Sequence, residues 1–462
     1  MLPLTAGTVA SLAGGVIDVG DVGALVTGVV FDTRRLAAGD LFVALHGEHA
    51  DGHSFLADAV GRGAAALLVR NDADAPGGVA VVRVADPMEA LARLAGEVRG
   101  RLDARVIAVT GSSGKTMTKE MIAAVSRSRF RTVASEASFN NEIGVPLTIL
   151  SADAGTEVLV AEVGSRGVGH IAALMPMLRP DVGVVLNVGV AHIGMFGSED
   201  AIAVAKGELV EGLGSEGVAI LNADDPAVDA MSKRTPAKVL RFGSSEAADV
   251  RAEGVSLGTD ACASFTLCAS DGRAQVKLRI PGEHLVSDAL AAAAAGTVLG
   301  IEVVTVAGAL SEARGAPWRM ELTEAPGGWR VINDAYNANP ASTVAALKAL
   351  VSMARGARTW AVLGAMAELG ERSNSEHDRI GRLVVRLGVT RLVAVGEETR
   401  PLFEAARLEG MTQDEATLVG GVDNAVALLR AGLAPGDVVL VKASRAAGLE
   451  RVALAIAQGG AA

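Results

Sequence analysis

The chain has 462 residues, of which 21% are charged, and a formal net charge of −11 at pH 7. This length predicts about two to four domains. The acidic balance, without a basic block, argues against nucleic acid and anionic membrane as main partners. Apolar runs are too short to span a bilayer, and no basic residue precedes one at the N-terminus, so we expect neither a membrane span nor a signal peptide. Cys262 and Cys268 lie in an alternating stretch and are expected to be buried free thiols in a cytoplasmic protein.

Residues 1–100 are expected to form a small α/β domain. The periodicity predicts strands at 26–30, 40–45 and 65–69 and a helix at 55–60. Polar turns follow the first two strands, at 32–35 and 46–53. Polar side chains at strand ends suit a ligand crevice, and plain surface turns are the alternative.

A phosphate-binding loop is predicted within residues 106–120. The stretch begins as a β-branched apolar run, breaks into Gly and Ser, and resumes as a helical pattern at Lys119. The backbone N–H groups of such a loop converge on phosphate oxygens, while Lys115 would reach the outer phosphates and Thr116 would coordinate Mg²⁺. Val109 stands where the general motif has its first Gly, so the loop is tighter than usual. An ordinary Gly/Ser turn before a helix is the alternative.

Residues 101–315 alternate strands and helices, which predicts a doubly wound, mainly parallel sheet. Glu162 and His192 each follow the carboxyl end of a predicted strand, at the sheet edge where ligands bind. Lys206 lies in a predicted helix among small apolar residues. Taken singly, a core histidine and a snorkelling lysine are the alternatives. The shared edge favours a Mg²⁺ site that includes Glu162.

Residues 316–462 predict a second, smaller open α/β fold of the dinucleotide-binding type, after a boundary near Trp318. This unit lacks the Gly-x-Gly-x-x-Gly fingerprint, and none follows a predicted strand, so NAD binding is not expected and an oxidoreductase is a poor hypothesis.

Motifs spread along nearly the whole chain resemble those of the Mur ligases, the ATP-dependent peptide ligases of peptidoglycan synthesis. The general family motifs are Thr110-Gly-Ser-Ser-Gly-Lys-Thr116, Asn140-Asn141-Glu-Ile-Gly-Val-Pro146, Asn187-Val-Gly-Val-Ala-His192, Lys206-Gly-Glu-Leu and Asn222-Ala-Asp-Asp-Pro226. The stretches Asp334-Ala-Tyr-Asn-Ala-Asn-Pro340, Met366-Ala-Glu-Leu-Gly370, Gly39-Asp-Leu-Phe-Val-Ala-Leu45 and Asp51-Gly-His53 are similar to the members that add D-alanyl-D-alanine to UDP-N-acetylmuramoyl-tripeptide.

The resemblance implies a reaction through an acyl phosphate, with the last domain closing on the central one. It implies an N-terminal UDP-sugar-binding domain, a central ATP-binding domain and a C-terminal domain that holds the dipeptide. It implies a monomer whose partners are these small-molecule substrates.

The resemblance also implies a role for each matched residue. ATP would lie on Gly111, Ser112, Ser113, Gly114, Lys115, Thr116, Thr118, His284, Asp288, Arg319 and Asp334. Two Mg²⁺ ions would be held by Thr116, Glu162, His192 and Lys206, the last as a carbamate. Lys115, Glu162, His192 and Lys206 would be catalytic. The substrates would contact Asp32, Thr33, Arg34, Gly47, Asp51, Gly52, His53, Asn140, Asn141, Tyr336, Asn337 and Asn339.

Some residues depart from the family pattern. Asp288 stands where the family has the Asn that faces adenine, and a carboxylate can only accept hydrogen bonds. Trp318 replaces a Gly, Ala365 replaces an acidic residue, and Thr33 replaces a Ser. Two further hypotheses therefore stay open: a related ligase of another pathway, such as secondary metabolism, that joins a different amine and carboxylate, and a nucleotide-binding regulatory or scaffold protein without catalysis.

Overall fold

The computed structural model describes residues 1–47, 50–189 and 193–458. Part of the predicted polar loop, residues 48–49, lies outside these ranges, as does His192, the predicted metal ligand and catalytic residue. Within the described ranges, no helix combines the length and apolar character needed to cross a bilayer.

The N-terminal unit is built on a five-stranded sheet. Its elements are β1 (Leu4–Thr5), α1 (Ala6–Ala13), β2 (Val16–Val19), β3 (Leu25–Val26), β4 (Gly28–Val30), β5 (Asp40–Val43), α2 (Leu56–Gly61), β6 (Ala66–Arg70), β7 (Ala80–Val84) and α3 (Pro87–Arg99). The sheet order is β2-β7-β6-β5-β4, antiparallel only at β2, and β1 pairs with β3. The strand predicted at 26–30 is interrupted at Thr27, whose N–H donates to the Gly39 carbonyl (2.9 Å).

The central unit is built on a nine-stranded sheet. Its elements are β8 (Arg105–Thr110), α4 (Lys115–Arg127), β9 (Thr132–Ala134), α5 (Gly144–Leu150), β10 (Val158–Glu162), α6 (His170–Leu178), β11 (Val182–Val185), α7 (Ile193–Phe196), α8 (Glu199–Glu211), β12 (Val218–Asn222), α9 (Pro226–Asp229), β13 (Lys238–Gly243), β14 (Val250–Leu257), β15 (Cys262–Ala269), β16 (Gly272–Pro281), α10 (Leu285–Val298) and α11 (Val303–Glu312). The strand order is β16-β15-β14-β13-β12-β11-β8-β10-β9.

The middle of this sheet is parallel, and its register sets the site. Glu162 at the end of β10 pairs with Val109 of β8, and Val185 of β11 pairs with Thr110. The carboxyl ends of the three strands therefore meet at one edge, beside the loop between β8 and α4.

One margin of the sheet departs from the parallel prediction. Strand β15 pairs antiparallel with β14 on one side and with β16 on the other. The stretch that carries Cys262 and Cys268 is β15, and both side chains are buried free cysteines, as predicted.

Helices α4 and α10 pack closely under the site. Alanines 291–295 of α10 are almost fully buried, and a Cβ at Gly296 would lie 2.9 Å from Val125 Cγ1 of α4. This small-residue face brings the first turn of α10 next to the loop that precedes α4. Helix α4 begins at Lys115, four residues before the predicted helical pattern. The pattern misses the first turn because that turn is largely buried at the site and so does not show one apolar face and one exposed polar face.

The C-terminal unit is built on a six-stranded sheet. Its elements are β17 (Glu321–Glu324), β18 (Arg330–Asp334), α12 (Pro340–Ala354), β19 (Thr359–Leu363), α13 (Ser373–Arg386), β20 (Arg391–Val395), α14 (Arg400–Leu408), β21 (Ala416–Val419), α15 (Val422–Gly432), β22 (Val438–Lys442) and α16 (Glu450–Ala457). The order is β17-β18-β22-β19-β20-β21, antiparallel only at β17. Three α/β units thus confirm the predicted fold class, while the boundaries at 100 and 315 stay predictions.

Candidate active site

A large cleft opens at the carboxyl edge of the central sheet. Its volume is about 1230 Å³, and all three units contribute to its lining. The N-terminal unit provides Phe31, the central unit provides the predicted phosphate loop, and the C-terminal unit provides the loops after β18, β19 and β22. Most of the predicted nucleotide residues lie in this one cleft.

The loop between β8 and α4 has the backbone geometry of a phosphate cradle. Gly114 has φ +82°, a conformation that glycine adopts without strain. The Lys115 ammonium donates to the Gly111 carbonyl (2.8 Å). Burial lowers the pKa of Lys115, and Glu162 opposes this shift. The loop therefore holds a desolvated amine at the start of a 13-residue helix, where an anion is stabilised.

Asn187 fixes the loop from the neighbouring strand end. Its Oδ1 accepts from the Ser113 N–H (2.9 Å), and its Nδ2 donates to the Ser113 carbonyl (3.2 Å). Ser112 is held in the same way, because its hydroxyl donates to the Gly189 carbonyl (3.1 Å) and accepts from the Gly189 N–H (2.9 Å). The loop is thus shaped in advance of any ligand.

A carboxylate lies beside the first turn of α4. Glu162 is 1% exposed. Its Oε2 accepts from the Thr116 hydroxyl (2.8 Å), and its Oε1 accepts from Asn140 Nδ2 (2.7 Å). The Thr116 hydroxyl also lies 3.0 Å from Ser138 Oγ.

This donor set fits a Mg²⁺ ion. The described residues contain no group of three or more His, Cys, Asp or Glu that could hold a metal by itself. Mg²⁺ is usually bound through only one or two carboxylates together with phosphate oxygens. Glu162, a buried carboxylate whose side-chain hydrogen bonds come from neutral donors, and the adjacent Thr116 hydroxyl supply such oxygens.

Lys206 of α8 also lines the cleft. It is 4% exposed, and it has no hydrogen bond or ion pair within the described ranges. Burial, together with the charge of Lys115, lowers the pKa of Lys206 well below its usual value. Burial therefore disfavours the protonated form of this amine.

The start of α10 lies against the phosphate loop. Asp288 is 6% exposed, and its Oδ1 accepts from the Thr118 hydroxyl (3.1 Å). The same oxygen would lie 2.4 Å from a Cβ at Gly114. Burial raises the pKa of Asp288 to about 7 and lowers the pKa of His284 to about 4, although Asp334 opposes the second shift.

The opposite wall comes from the C-terminal unit. Arg319 donates to Ser138 Oγ (3.2 Å), and its guanidinium carbon lies 4.3 Å from the centre of the Tyr336 ring. Its Nε is buried and finds no hydrogen-bond partner among the residues that the structure describes. Asp334 Oδ2 pairs with Lys442 Nζ (2.5 Å), so Asp334 is already neutralised.

Two predicted substrate residues begin or precede helices. Asn339 caps α12 by accepting from the Ser342 N–H (2.9 Å), and the cleft lining includes both Asn337 and Asn339. Asn141 accepts from the Gly144 N–H (3.0 Å) at the start of α5.

The predicted UDP-sugar residues form two polar clusters in the N-terminal unit. Asp32 pairs with Arg34 (2.7 Å) after β4, next to the buried Thr33. Asp51 accepts from the His53 N–H (3.0 Å) and contacts His53 Nδ1 (2.7 Å) after β5, and these two contacts lower the pKa of Asp51 to about 2. Because β4 and β5 are adjacent parallel strands, both clusters lie at one sheet edge.

These clusters lie outside the lining of the large cleft. Phe31, next to Asp32, is the lining residue that the N-terminal unit contributes. Two glycines shape the second cluster. The Gly47 N–H donates to the Ala50 carbonyl (3.0 Å), and a Cβ at Gly52 would lie 2.7 Å from the backbone of Leu45.

The cleft residues that were not singled out from the sequence include Ser138, Lys442 and Arg445. Lys442 ends β22, so the rule that ligands bind at carboxyl strand ends would have found it. Ser138 lies in an irregular loop, and no periodic pattern marks it.

Family models match the chain in three consecutive parts. A model described as Mur ligase family, catalytic domain matches residues 25–99. The Mur ligase middle domain matches 109–296, and the Mur ligase, glutamate ligase domain matches 318–445.

The chain is similar to curated ligases over nearly its whole length. It is 45% identical to the UDP-N-acetylmuramoyl-tripeptide--D-alanyl-D-alanine ligase of Mycobacterium tuberculosis strain H37Rv, covering 99% of this chain and 98% of that protein. It is 35% identical to the ligase of the same name from Escherichia coli strain K12, covering 94% of each.

Solved structures agree with these matches. A crystal structure of MurF from Acinetobacter baumannii has a TM-score of 0.85 and 30% identity, covering 97% of this chain and 98% of that one. MurF ligase from Thermotoga maritima in complex with ADP has a TM-score of 0.79 and 29% identity, covering 93% and 96%. The chain belongs to the Mur ligase family.

Proposed function

We propose that this protein is an ATP-dependent ligase that joins D-alanyl-D-alanine to UDP-N-acetylmuramoyl-tripeptide in peptidoglycan precursor synthesis. The observation that carries the proposal is the 45% identity to a ligase of this name across 99% of the chain. The cleft supports it, because the phosphate loop, the buried Glu162 carboxylate and the Arg319 guanidinium face one space. A cytoplasmic location and a monomeric state belong to the same proposal.

The proposed reaction has two steps. A carboxylate oxygen of the tripeptide attacks the γ-phosphorus of ATP, and ADP leaves. The amine of the dipeptide then attacks the acyl phosphate, so that a C–N bond forms, the C–O bond to phosphate breaks, and the amine releases a proton. Catalysis is mainly alignment and charge neutralisation. Lys115, the loop N–H groups and Arg319 would hold the phosphates, while Asp334 and Asp288 would lie towards the nucleoside.

Magnesium and a modified lysine complete the proposal. Thr116 and Glu162 would hold Mg²⁺, which supplies positive charge to the phosphate oxygens. Because burial disfavours its protonated form, the Lys206 amine is suited to add CO₂ and lose a proton, giving a carbamate. That change replaces a potential cation with an anionic oxygen ligand for a second ion.

The substrates are assigned to residues of all three units. The clusters around Asp32 and Asp51 would hold the UDP-sugar, and Asn140 and Asn141 would contact the tripeptide. The loop with Tyr336, Asn337 and Asn339 would hold the dipeptide. We assign these tasks to units bounded at residues 100 and 315, with the C-terminal unit closing on ATP.

Turnover by the purified full chain tests the proposal. The protein is incubated with ATP, Mg²⁺ and UDP-N-acetylmuramoyl-tripeptide, and with D-alanyl-D-alanine, single amino acids or other dipeptides as the amine. Phosphate release and a product of the pentapeptide mass are expected with D-alanyl-D-alanine. Background release with this amine and turnover with another would favour a ligase of a different pathway. Release with no amine at all would indicate an uncoupled ATPase.

A further inference from the structure

The C-terminal wall of the cleft, formed by residues 334–446, carries two cations with different environments. Lys442 is 2% exposed, and its Nζ contacts Asp334 Oδ2 (2.5 Å) and the Asn337 carbonyl (2.9 Å). The Lys442 ammonium is therefore already bound by groups of the protein. The Arg445 side chain is 52% exposed and lines the cleft.

Arg445 keeps a free hydrogen-bonding edge. Its Nη1 pairs with Glu450 Oε1 (3.0 Å), and this is its side-chain polar contact within the described part of the chain. Its Nε and Nη2 donors have no partner there. These two N–H groups form one planar edge of the guanidinium, the geometry that matches both oxygens of a carboxylate.

Trp318 holds this guanidinium in place. The centre of its ring lies 4.4 Å from the guanidinium carbon of Arg445. Trp318 has φ +59°, a left-handed conformation that is rare for bulky residues and persists where the surroundings enforce it. Its N–H donates to Glu321 Oε2 (3.0 Å), and its carbonyl accepts from the Tyr336 N–H (3.2 Å). These hydrogen bonds fix the Trp318 backbone, so its ring is held between the segment that precedes β17 and the turn after β22.

The proposed reaction needs a cation of this kind. The dipeptide is assigned to the C-terminal unit, where Arg319 is assigned to phosphates and Lys442 is paired with Asp334. Arg166, which also lines the cleft, follows β10 in the central unit, so Arg445 is the cleft cation on the dipeptide side that has no other task. We propose that Arg445, positioned by Trp318, binds the carboxylate of the incoming dipeptide and so selects amines that carry one. The inference rests on the proposed function and deepens it.

Comparison of two amine substrates tests the contact directly. D-Alanyl-D-alanine and its C-terminal amide are given to the full chain at saturating ATP and tripeptide. The wild type is expected to prefer the acid by about 10- to 100-fold in kcat/KM, the range for a hydrogen-bonded charge pair. Arg445→Met is expected to lose most of this preference, with the KM for ATP unchanged.

Two variants separate binding from folding. Arg445→Met with Glu450→Gln leaves no unpaired carboxylate and should show the same lost preference. Trp318→Gly adopts φ +59° without strain, so its unfolding midpoint should not fall, while its KM for the dipeptide should rise about three- to tenfold with kcat nearly unchanged. Arg451→Met, an exposed arginine outside the cleft, is the matched control and should retain wild-type values.

The outcomes are distinguishable. If the wild type releases no phosphate with D-alanyl-D-alanine, the proposed function fails and the inference fails with it. If the wild type turns over and Arg445→Met still prefers the acid by the same factor, the inference alone is overturned. An equal loss of acid and amide turnover in Arg445→Met would also overturn it, because a structural role predicts that result.

Discussion

At the residue scale, the most unusual group is the buried carboxyl of Asp288. It contacts the phosphate loop through Thr118 and lies against Gly114, where an ionised carboxylate would repel the ATP phosphates. Burial raises its pKa to about 7, opposed by the Thr118 hydrogen bond and by Arg319. The group is therefore protonated below neutral pH and charged above it.

This titration predicts a pH-dependent ATP affinity. The KM for ATP should rise at least about threefold between pH 6 and pH 8.5, because the loop gains a neighbouring negative charge as Asp288 ionises. Asp288→Asn should flatten the profile. Steady-state kinetics at saturating tripeptide and dipeptide would measure it, with the exposed Asp74→Asn as control. An identical slope in wild type and Asp288→Asn would contradict the assignment.

The same group predicts a pH-dependent stability. The folded pKa of about 7 exceeds the ordinary value of 3.8, so the folded state binds more protons than the unfolded state between these values. The contribution of Asp288 to the free energy of unfolding should therefore fall as pH rises from 4 to 7, by about 1.4 kcal/mol for each pH unit. Urea denaturation at pH 4.5 and 7.5 should show Asp288→Asn gaining on the wild type at the higher pH. A constant difference would count against the burial argument.

Lys206 gives a second prediction at this scale. If the Lys206 amine is carbamylated, wild-type turnover should fall in CO₂-depleted buffer and recover with bicarbonate. Lys206→Ala should lower kcat by at least about 100-fold, as expected for a lost ligand of catalytic charge, and should not respond to bicarbonate. The exposed Lys233→Ala serves as control. Wild-type kcat in Lys206→Ala would exclude the role.

At the element scale, the ends of the central strands could be predicted from the sequence. The pairing of the marginal strands and the contacts of residues outside regular elements could not. Continuous apolar runs were sufficient to locate strands such as β8 and β10, and the parallel arrangement then implied that Glu162 lies beside the phosphate loop. The antiparallel pairing of β15 with β14 and β16 was not expected, because the residue pattern of a strand does not specify the direction of the strand beside it. Asn187 holds the loop through hydrogen bonds that no periodicity marks. His192, whose role rests on the family resemblance, lies outside the described residues.

One predicted effect concerns the start of α6. Glu208 of α8 accepts from the Gly169 N–H (2.5 Å) and the Ala172 N–H (2.9 Å), and so caps α6 from another helix. Glu208→Ala should lower the free energy of unfolding by about 1–2 kcal/mol, because two N–H groups at the start of α6 lose their acceptor. Urea denaturation measures this, with the exposed Glu216→Ala as control. Equal stability of the two variants would refute the capping role.

At the scale of the whole molecule, the central and C-terminal units meet backbone to backbone. The Gly194 N–H donates to the Glu368 carbonyl (3.3 Å), and a Cβ at Gly194 would lie 2.7 Å from Gly370 N. The contact adjoins the cleft, and Arg319 bridges the same two units at Ser138. A side chain at this point would hold the units apart.

Gly194→Ala should therefore reduce kcat and raise the KM for ATP by about tenfold, without lowering the unfolding midpoint of either unit. Gly308→Ala, where a Cβ meets no atom within 4 Å, is the control. Kinetics paired with thermal unfolding would separate these effects. Unchanged kinetics in Gly194→Ala would show that catalysis does not need this approach.

The central claim is that the cleft transfers phosphate from ATP to the tripeptide carboxylate before the amine attacks. The most direct measurement uses tripeptide whose terminal carboxylate carries oxygen-18, with mass spectrometry of the released phosphate. The account predicts one labelled oxygen in each phosphate when D-alanyl-D-alanine is ligated. Unlabelled phosphate released alongside ligated product would contradict it.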